Sequence, residues 1–327
     1  MRHFLLGKCA DIGISAAERL GLLFGKTYGR HDVRVLMYHE ILPQSPSRIG
    51  RGGVDREMFR KQMHYLKEKF RLLHANELND PPSMTGPGSR PRLMLTFDDG
   101  IGNNASVAWP ILEQLKIPAI FFVSLRHTEP DRFLWFMHAI ALFMLHPGPR
   151  IELMNREWPL ASPVERRNSW KRFVAFSYSV NHADIYAALS RYPVASFVPP
   201  EIIENEMRGM TPQEIAAIAA SELVTIGAHT LNHPYLTKCS ESDLRDEIFG
   251  SKTQLEQICR REVTMFAYPD GDYDQRVVAA VKRSGFQTAF AVNLREGLSS
   301  DNFTARRSGV YRGGTGLLAA KAYGWLK

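Results

Sequence analysis

The residues of this chain best suited to acid–base or metal chemistry begin with two adjacent carboxylates at the end of an apolar run. Asp98 and Asp99 follow the run RLMLTF and precede Gly100. Because neighbouring side chains point in different directions, one carboxylate can bind a cation while the other stays free to act as a base. Taken alone, the segment is also compatible with an Asp-Asp-Gly turn on the surface.

A second segment, HTLNH, places His229 and His233 four residues apart after another apolar run. If the segment coils into a turn, both imidazoles can converge on one metal ion, whereas two unrelated surface histidines would give the same spacing. With one carboxylate of the acidic pair they form a two-histidine, one-carboxylate set. Such a set leaves positions open for water and substrate, which is typical of a catalytic zinc or iron site, because a structural site is closed by four protein ligands.

Two further strand ends carry residues that suit the same chemistry. His39 ends the segment LMYH, and an imidazole there can serve as a general acid because it donates a proton near neutral pH. A structural histidine is the alternative. Tyr268 precedes Pro269, Asp270 and Gly271, which fix a tight turn that could aim a backbone N–H at a developing oxyanion. A plain turn is the alternative here.

The elements that must position these residues are short apolar runs separated by segments with helical spacing. Continuous rather than alternating apolarity indicates strands that are covered on both faces, as in parallel sheets. The alternation with helices predicts an α/β fold with a parallel sheet or barrel, in which functional residues lie at strand C-termini. The predicted strands are Val33–Tyr38, Arg92–Phe97, Ala119–Val123, Leu223–Ala228, Val263–Tyr268 and Phe286–Val292.

One gap between predicted strands, at about residues 125–210, is far longer than a usual crossover. Its apolar run at 133–145 and its aromatic stretch at 168–192 predict a helical insertion that caps one end of the sheet. After the gap, Thr211 and Glu214 have the spacing of a capping box at a helix start, and Asp55 is the predicted N-cap of an earlier helix.

The motifs TFDDG, HTLNH, FAYPDG and LMYHE, in their places along the chain, resemble the polysaccharide deacetylase family, also called carbohydrate esterase family 4. The similarity runs from about residue 33 to 310. It implies a distorted (β/α)7 barrel over residues 31–327, interrupted by the insertion and preceded by an N-terminal helical segment, 1–30. The implied activity is the metal-dependent removal of N-acetyl, sometimes O-acetyl, groups from glycans.

Carried over by motif, the resemblance makes Asp98 the catalytic base and the Tyr268 amide part of an oxyanion hole. It implies a divalent metal, with zinc expected, bound by Asp99, His229 and His233. The segment LMYHE is similar to that of a permuted subgroup that includes poly-N-acetylglucosamine deacetylases. In this subgroup the acid histidine comes from the N-terminal motif, which makes His39 the candidate acid.

The chain departs from the commonest family pattern at two places. Ala267 stands where that pattern has an arginine, and residues 306–308 replace the segment that usually carries the acid histidine. The leading hypothesis is a metal-dependent deacetylase of an acetamido sugar. The alternatives are a catalytically decayed protein that binds a glycan or lipid-linked sugar, and an amidohydrolase that acts on a non-sugar amide.

Charge and cysteine content bear on partners and compartment. The 327 residues carry 41 Lys and Arg against 34 Asp and Glu, a net charge of +7, with no long basic run and no RNA-binding or zinc-finger signature. We therefore expect no nucleic-acid partner. Three unpaired cysteines and the lack of a standard export signal predict a cytoplasmic or inner-membrane-associated protein, with a lipid- or nucleotide-linked acetamido sugar as substrate. Residues 10–24 fit a helix packed in the core or one in peripheral contact with a membrane.

Overall fold

The structure is a computed structural model that describes residues 33–44, 47, 49, 52–78, 90–292, 301–311 and 313–323. The predicted N-terminal segment 1–30, with the membrane contact considered for residues 10–24, lies outside the described residues. The strands are, in chain order, β1 (Arg34–Tyr38), β2 (Ile41–Leu42), β3 (Val54–Asp55), β4 (Arg71–Leu72), β5 (Arg92–Phe97), β6 (Ala119–Val123), β7 (Arg150–Leu153), β8 (Arg156–Pro159), β9 (Val224–Ala228), β10 (Met265–Ala267), β11 (Thr288–Ala291), β12 (Ala305–Arg306) and β13 (Ser308–Gly309).

A parallel sheet forms the centre of the molecule and closes into a barrel. Its strand order is β12, β11, β10, β9, β6, β5, β1, β13, and β4 adds a short partner to β5. Because only Arg307 separates β12 from β13, the two are parts of one strand, which pairs with β11 through its first part and with β1 through its second. Seven parallel strands therefore make the ring, and the predicted distorted (β/α)7 barrel is confirmed.

The barrel strands are the apolar runs of the sequence. β5 and β6 are buried at every position, as expected for strands covered on both faces. The six predicted strands are all present, and each of their ends lies within two residues of its predicted position. The seventh, formed by β12 and β13, was not predicted.

Helices surround the ring and begin at the predicted caps. The Asp55 carboxylate accepts a hydrogen bond from the Met58 amide at 2.9 Å, and the capping box of Thr211 and Glu214 is formed in both directions. None of the helices in the described part of the chain is long and apolar enough to cross a membrane. The α-helices are α1 (Arg56–Lys69), α2 (Trp109–Leu115), α3 (Trp135–Leu145), α4 (Pro163–Ser177), α5 (His182–Leu189), α6 (Pro200–Ile202), α7 (Pro212–Ala219), α8 (Glu241–Cys259), α9 (Gln275–Arg283) and α10 (Thr315–Ala322).

The helical insertion between β6 and α7 forms a cap with an aromatic core. Helices α3, α4 and α5 and the hairpin β7–β8 bury Trp135, Phe143, Trp158 and Phe173 together. The cap contacts the barrel through Trp135, whose indole N–H donates to the carbonyl oxygen of His233 at 3.1 Å. It therefore lies over the C-terminal ends of the strands, where the functional residues were predicted.

Candidate active site and metal centre

The three predicted metal ligands meet at the C-terminal ends of β5 and β9. The Asp99 Oδ1 atom lies 3.6 Å from His229 Nε2 and 3.5 Å from His233 Nε2. The candidate ligand atoms all lie within 4.8 Å of one another, and the three residues are buried. Two imidazole nitrogens and one carboxylate oxygen are the donor set of many catalytic zinc and iron sites, so the residues fit the implied divalent metal.

Hydrogen bonds from outside the cluster orient its ligands. The Nδ1–H of His229 donates to the carbonyl oxygen of Ala267 at 2.8 Å, which leaves the Nε2 lone pair facing Asp99. His127 lies behind the acidic pair and donates from Nε2 to the Asp99 carbonyl oxygen at 2.7 Å. Burial lowers the pKa of His229 to about 4, so its imidazole is neutral at physiological pH, which is the form that binds a metal.

The loop that carries the two histidines is held by a buried glutamate of α8. The Glu247 carboxylate accepts hydrogen bonds from the backbone amides of Leu231 and Asn232 and from the Asn232 side chain, at 2.7 to 2.9 Å. The Thr230 hydroxyl accepts a further bond from the His233 amide at 3.0 Å. These contacts coil the segment so that His229 and His233 face the same point.

Backbone strain is concentrated around the same cluster. Nine non-glycine residues of the described chain have positive φ, and four of them lie in the site: Asp99, Thr230, His233 and Asp270. Left-handed backbone is uncommon for such residues and costs of order 1–3 kcal/mol where nothing offsets it. Strain of this kind is typical of functional sites, because the surrounding contacts must hold it in place.

Asp98, the predicted base, faces a partner that the sequence analysis did not identify. Both of its carboxylate oxygens accept hydrogen bonds from Arg307, at 2.6 Å from Nη1 and 2.7 Å from Nη2. The Arg307 side chain is fully buried inside the barrel, where it lies over the rings of Phe122 and Phe290. It therefore fixes the orientation of Asp98, which Ala267 cannot do from the position where the family pattern has an arginine.

The charges around Asp98 keep it ionised. Burial by itself raises the pKa of its carboxyl, but the Arg307 guanidinium outweighs that effect and holds the pKa below its usual value. The His229 Nε2 atom lies 4.0 Å from Asp98 Oδ2, so the candidate base is directly beside the metal cluster. An ionised carboxylate in this position can accept a proton from a water bound next to it.

A cavity of about 340 Å³ opens over these residues and also contains His39. His39 follows β1, and its ring stacks on the ring of Tyr311 with centroids 5.7 Å apart. The other walls come from the cap and from the segment after β10. The structure thus brings all six predicted site residues around one volume: His39, Asp98, Asp99, His229, His233 and Tyr268.

The predicted role of the Tyr268 amide requires a correction. Its backbone N–H donates to the Phe290 carbonyl oxygen at 3.1 Å, as part of the pairing between β10 and β11. Its hydroxyl donates to the Phe303 carbonyl oxygen at 3.0 Å. Because the amide is paired within the sheet, we do not assign it to an oxyanion hole, although the residue lines the cavity.

Comparison with known proteins agrees with this fold. Residues 177–289 match the family model described as polysaccharide deacetylase. The curated protein YxkH of Bacillus subtilis (strain 168) is 23% identical over 112 residues, a match that spans 34% of this chain and only 39% of that relative. The match therefore concerns part of that protein.

Solved structures share the fold over most of the chain. The Streptococcus pyogenes deacetylase PplD, in complex with acetate, superposes with a TM-score of 0.56 at 19% identity, covering 88% of this chain and 96% of PplD. IcaB from Ammonifex degensii superposes with a TM-score of 0.53 at 18% identity, covering 90% and 97%.

A seven-stranded parallel barrel with a His-His-Asp cluster at its strand C-termini defines the class of protein, a parallel α/β barrel with a candidate metal site. More particularly, the chain is similar to the polysaccharide deacetylase family, carbohydrate esterase family 4, whose model matches residues 177–289, as the motif resemblance predicted.

Proposed function

We propose that this protein is a metal-dependent hydrolase that removes the N-acetyl group of an acetamido sugar. The observation that carries the proposal is the buried, bidentate pair of Asp98 and Arg307 beside the His-His-Asp cluster. A protein that only binds a glycan has no use for an ionised carboxylate held next to three candidate metal ligands. The decayed-scaffold alternative rested on the arginine absent at Ala267 and on the absent C-terminal histidine. Arg307 supplies a guanidinium to Asp98 from another strand, and His39 lines the same cavity.

The residues of the site divide the work of amide hydrolysis. Asp99, His229 and His233 would hold a divalent cation, which would supply Lewis-acid polarisation of the acetyl carbonyl and would lower the pKa of a bound water. Asp98, fixed by Arg307, takes the proton of the attacking water. His39, on the same cavity, donates a proton to the departing amine, which is a poor leaving group unless it is protonated.

Acetate release together with elemental analysis tests the proposal. We expect purified protein to contain about one equivalent of zinc or another divalent transition metal, and to release acetate from a panel of N-acetylhexosamine monomers and oligomers. Release from small non-sugar amides alone would identify the protein as an amidohydrolase of another class. Absence of acetate release from both panels by metal-loaded protein would contradict the proposed reaction.

Replacing Asp99 by alanine is expected to abolish metal binding, because it removes one of three ligands and the only carboxylate of the cluster. The measurement is metal content after dialysis, which does not depend on activity. Glu241 to alanine is the matched control, since this exposed glutamate belongs to α8 and contacts only Arg276 and Arg283 among the ion pairs described. Full metal content in Asp99→Ala would contradict the ligand assignment.

Replacing His39 by glutamine is expected to slow hydrolysis of an acetamide about 10²- to 10⁴-fold, the usual contribution of a positioned acid. Hydrolysis of 4-nitrophenyl acetate should change far less, because 4-nitrophenolate leaves without being protonated. The ratio of kcat/KM for the two substrates is the measurement. An equal loss on both would contradict the acid role and indicate a structural one.

The substrate proposed from the compartment prediction is a lipid- or nucleotide-linked acetamido sugar used in glycan assembly. The family implies a glycan substrate, and the cavity is lined by aromatic side chains that suit a sugar. The cytoplasmic or inner-membrane location stays a prediction. Fractionation that places the native protein outside the inner membrane would contradict it.

A further inference from the structure

Exposed aromatic rings mark the mouth of the catalytic cavity. The described residues contain four large hydrophobic side chains with high exposure: Val164, Tyr178, Phe249 and Tyr311. Two of them line the cavity that contains Asp98, namely Tyr178 at 45% exposure and Tyr311 at 50%. They come from elements far apart in the sequence, because Tyr178 follows α4 in the cap and Tyr311 follows β13 in the barrel. When apolar surface is exposed on both sides of a concave site, the exposure indicates that a ligand covers this surface.

Each of these rings is held by a second ring. Tyr178 stacks on Tyr235 with centroids 4.0 Å apart and planes at 21°, and Tyr311 stacks on His39 at the same interplanar angle. Tyr235 is itself buried and is hydrogen-bonded to the Ser177 hydroxyl at 3.1 Å. The rings are therefore positioned before a ligand arrives, and little side-chain entropy remains to be lost on binding. We call Trp170, Tyr178, Tyr235 and Tyr311 the aromatic rim.

The rest of the cavity supplies polar groups for the same ligand. Asp270 lines the cavity on a backbone with φ of 52°, and it makes no hydrogen bond to any described residue. A carboxylate in that position can accept hydrogen bonds from hydroxyl groups. The volume of about 340 Å³ is at the lower end of the ~300–1,000 Å³ typical of small-molecule sites, which suits one sugar unit at the catalytic residues.

We propose that the aromatic rim is the sugar-binding subsite of this protein, and that it holds the pyranose ring of an acetamido sugar against Tyr178 and Tyr311. The apolar C–H face of the pyranose packs on the rings, and Asp270 accepts hydrogen bonds from its hydroxyls. The cap therefore determines specificity for a sugar over a simple acetamide, since it contributes Trp170 and Tyr178. This inference rests on the proposed function for the reaction, although binding can be measured without it.

The principal test replaces Tyr178 by alanine and measures kinetics on two substrates. With triacetylchitotriose we expect KM to rise about ten-fold, because an aromatic contact of about 1.4 kcal/mol is lost. With 4-nitrophenyl acetate, which lacks a sugar ring, kcat/KM should stay within about two-fold, as expected for a residue outside the reacting centre. Tyr178→Phe keeps the ring and should restore most of the affinity. Phe249→Ala, an equally exposed aromatic on α8, is the control and should change neither substrate.

Direct binding separates this inference from the proposed reaction. Triacetylchitotriose is titrated into the Asp98→Asn protein, with and without Tyr178→Ala or Tyr311→Ala, and followed by calorimetry. Binding that weakens about ten-fold in the tyrosine variants supports the subsite even if the parent protein releases no acetate. Acetate release with unchanged KM in Tyr178→Ala would overturn the subsite and leave the reaction intact. Equal losses on both substrates, or no binding of the trisaccharide, would also overturn it.

Discussion

Replacing Asp98 by asparagine is expected to slow acetamide hydrolysis by about 10²- to 10⁴-fold, the usual contribution of a positioned base. Asparagine has nearly the shape of aspartate but cannot take a proton from water. The ligands Asp99, His229 and His233 are untouched, so metal content should remain that of the parent protein. The measurements are the rate of acetate release and elemental analysis of the same preparation.

A stability measurement must accompany Asp98→Asn, because a neutral amide at this position would leave the Arg307 guanidinium buried without a counter-charge. Removing one partner of a buried pair costs roughly 3–5 kcal/mol of unfolding free energy, so a lower Tm is part of the expectation. The rate is therefore compared well below both melting temperatures. Wild-type turnover in a folded, metal-containing variant would contradict the assignment of Asp98 as the base.

The fold and the metal cluster could be predicted because their signals are local. Asp98 and His229 each follow a continuous apolar run, and parallel strands that end in polar residues place those residues at one edge of the sheet. The four-residue spacing of His229 and His233 required only a coiled loop. In the structure the loop is coiled by Glu247 of α8, whose carboxylate accepts hydrogen bonds from the loop amides. The apolar periodicity of that helix does not predict this contact.

The partner of Asp98 could not be predicted, because its signal is not local. Arg307 is 209 positions away in the sequence, within the segment Ala-Arg-Arg-Ser-Gly, which has neither an apolar run nor alternation. Strand formation there comes from closure of the barrel, since the neighbouring strands β11 and β1 supply the hydrogen-bonding partners. The error over Tyr268 has a related origin: its amide is used in the pairing of β10 with β11, and register is set by tertiary contacts.

The cap could likewise be predicted from composition, whereas its contacts with the site could not. Its length and apolar runs predicted a helical insertion, but they gave no sign that Trp135 would donate to the His233 carbonyl oxygen. Through that bond, and through the ring of Phe136 4.8 Å from the His233 ring, the insertion becomes part of the wall of the site. A segment that interrupts the family pattern thus contributes to the environment of a candidate metal ligand.

Replacing Arg307 by methionine is expected to move the acid limb of the kcat/KM profile to higher pH and to lower the rate at neutral pH. In the parent protein burial raises the pKa of Asp98, and Arg307 more than offsets it. Without the guanidinium the burial effect remains, so the pKa of Asp98 rises and less of the base is ionised at a given pH. The loss should therefore shrink as pH increases, which a purely structural defect would not produce.

Methionine suits this test because it can keep the packing against Phe122 and Phe290 while removing the charge. Arg307→Lys should give an intermediate profile, since a lysine retains a charge but cannot form the bidentate pair. Arg306→Met is the matched control: the neighbouring arginine lies on the same strand with an exposed side chain, and its loss should leave the profile unchanged. If Arg307→Met and Arg306→Met both have the pH profile of the parent protein, Arg307 does not set the ionisation of Asp98. The orientation of the base must then come from the Asp98 backbone and its metal-site neighbours.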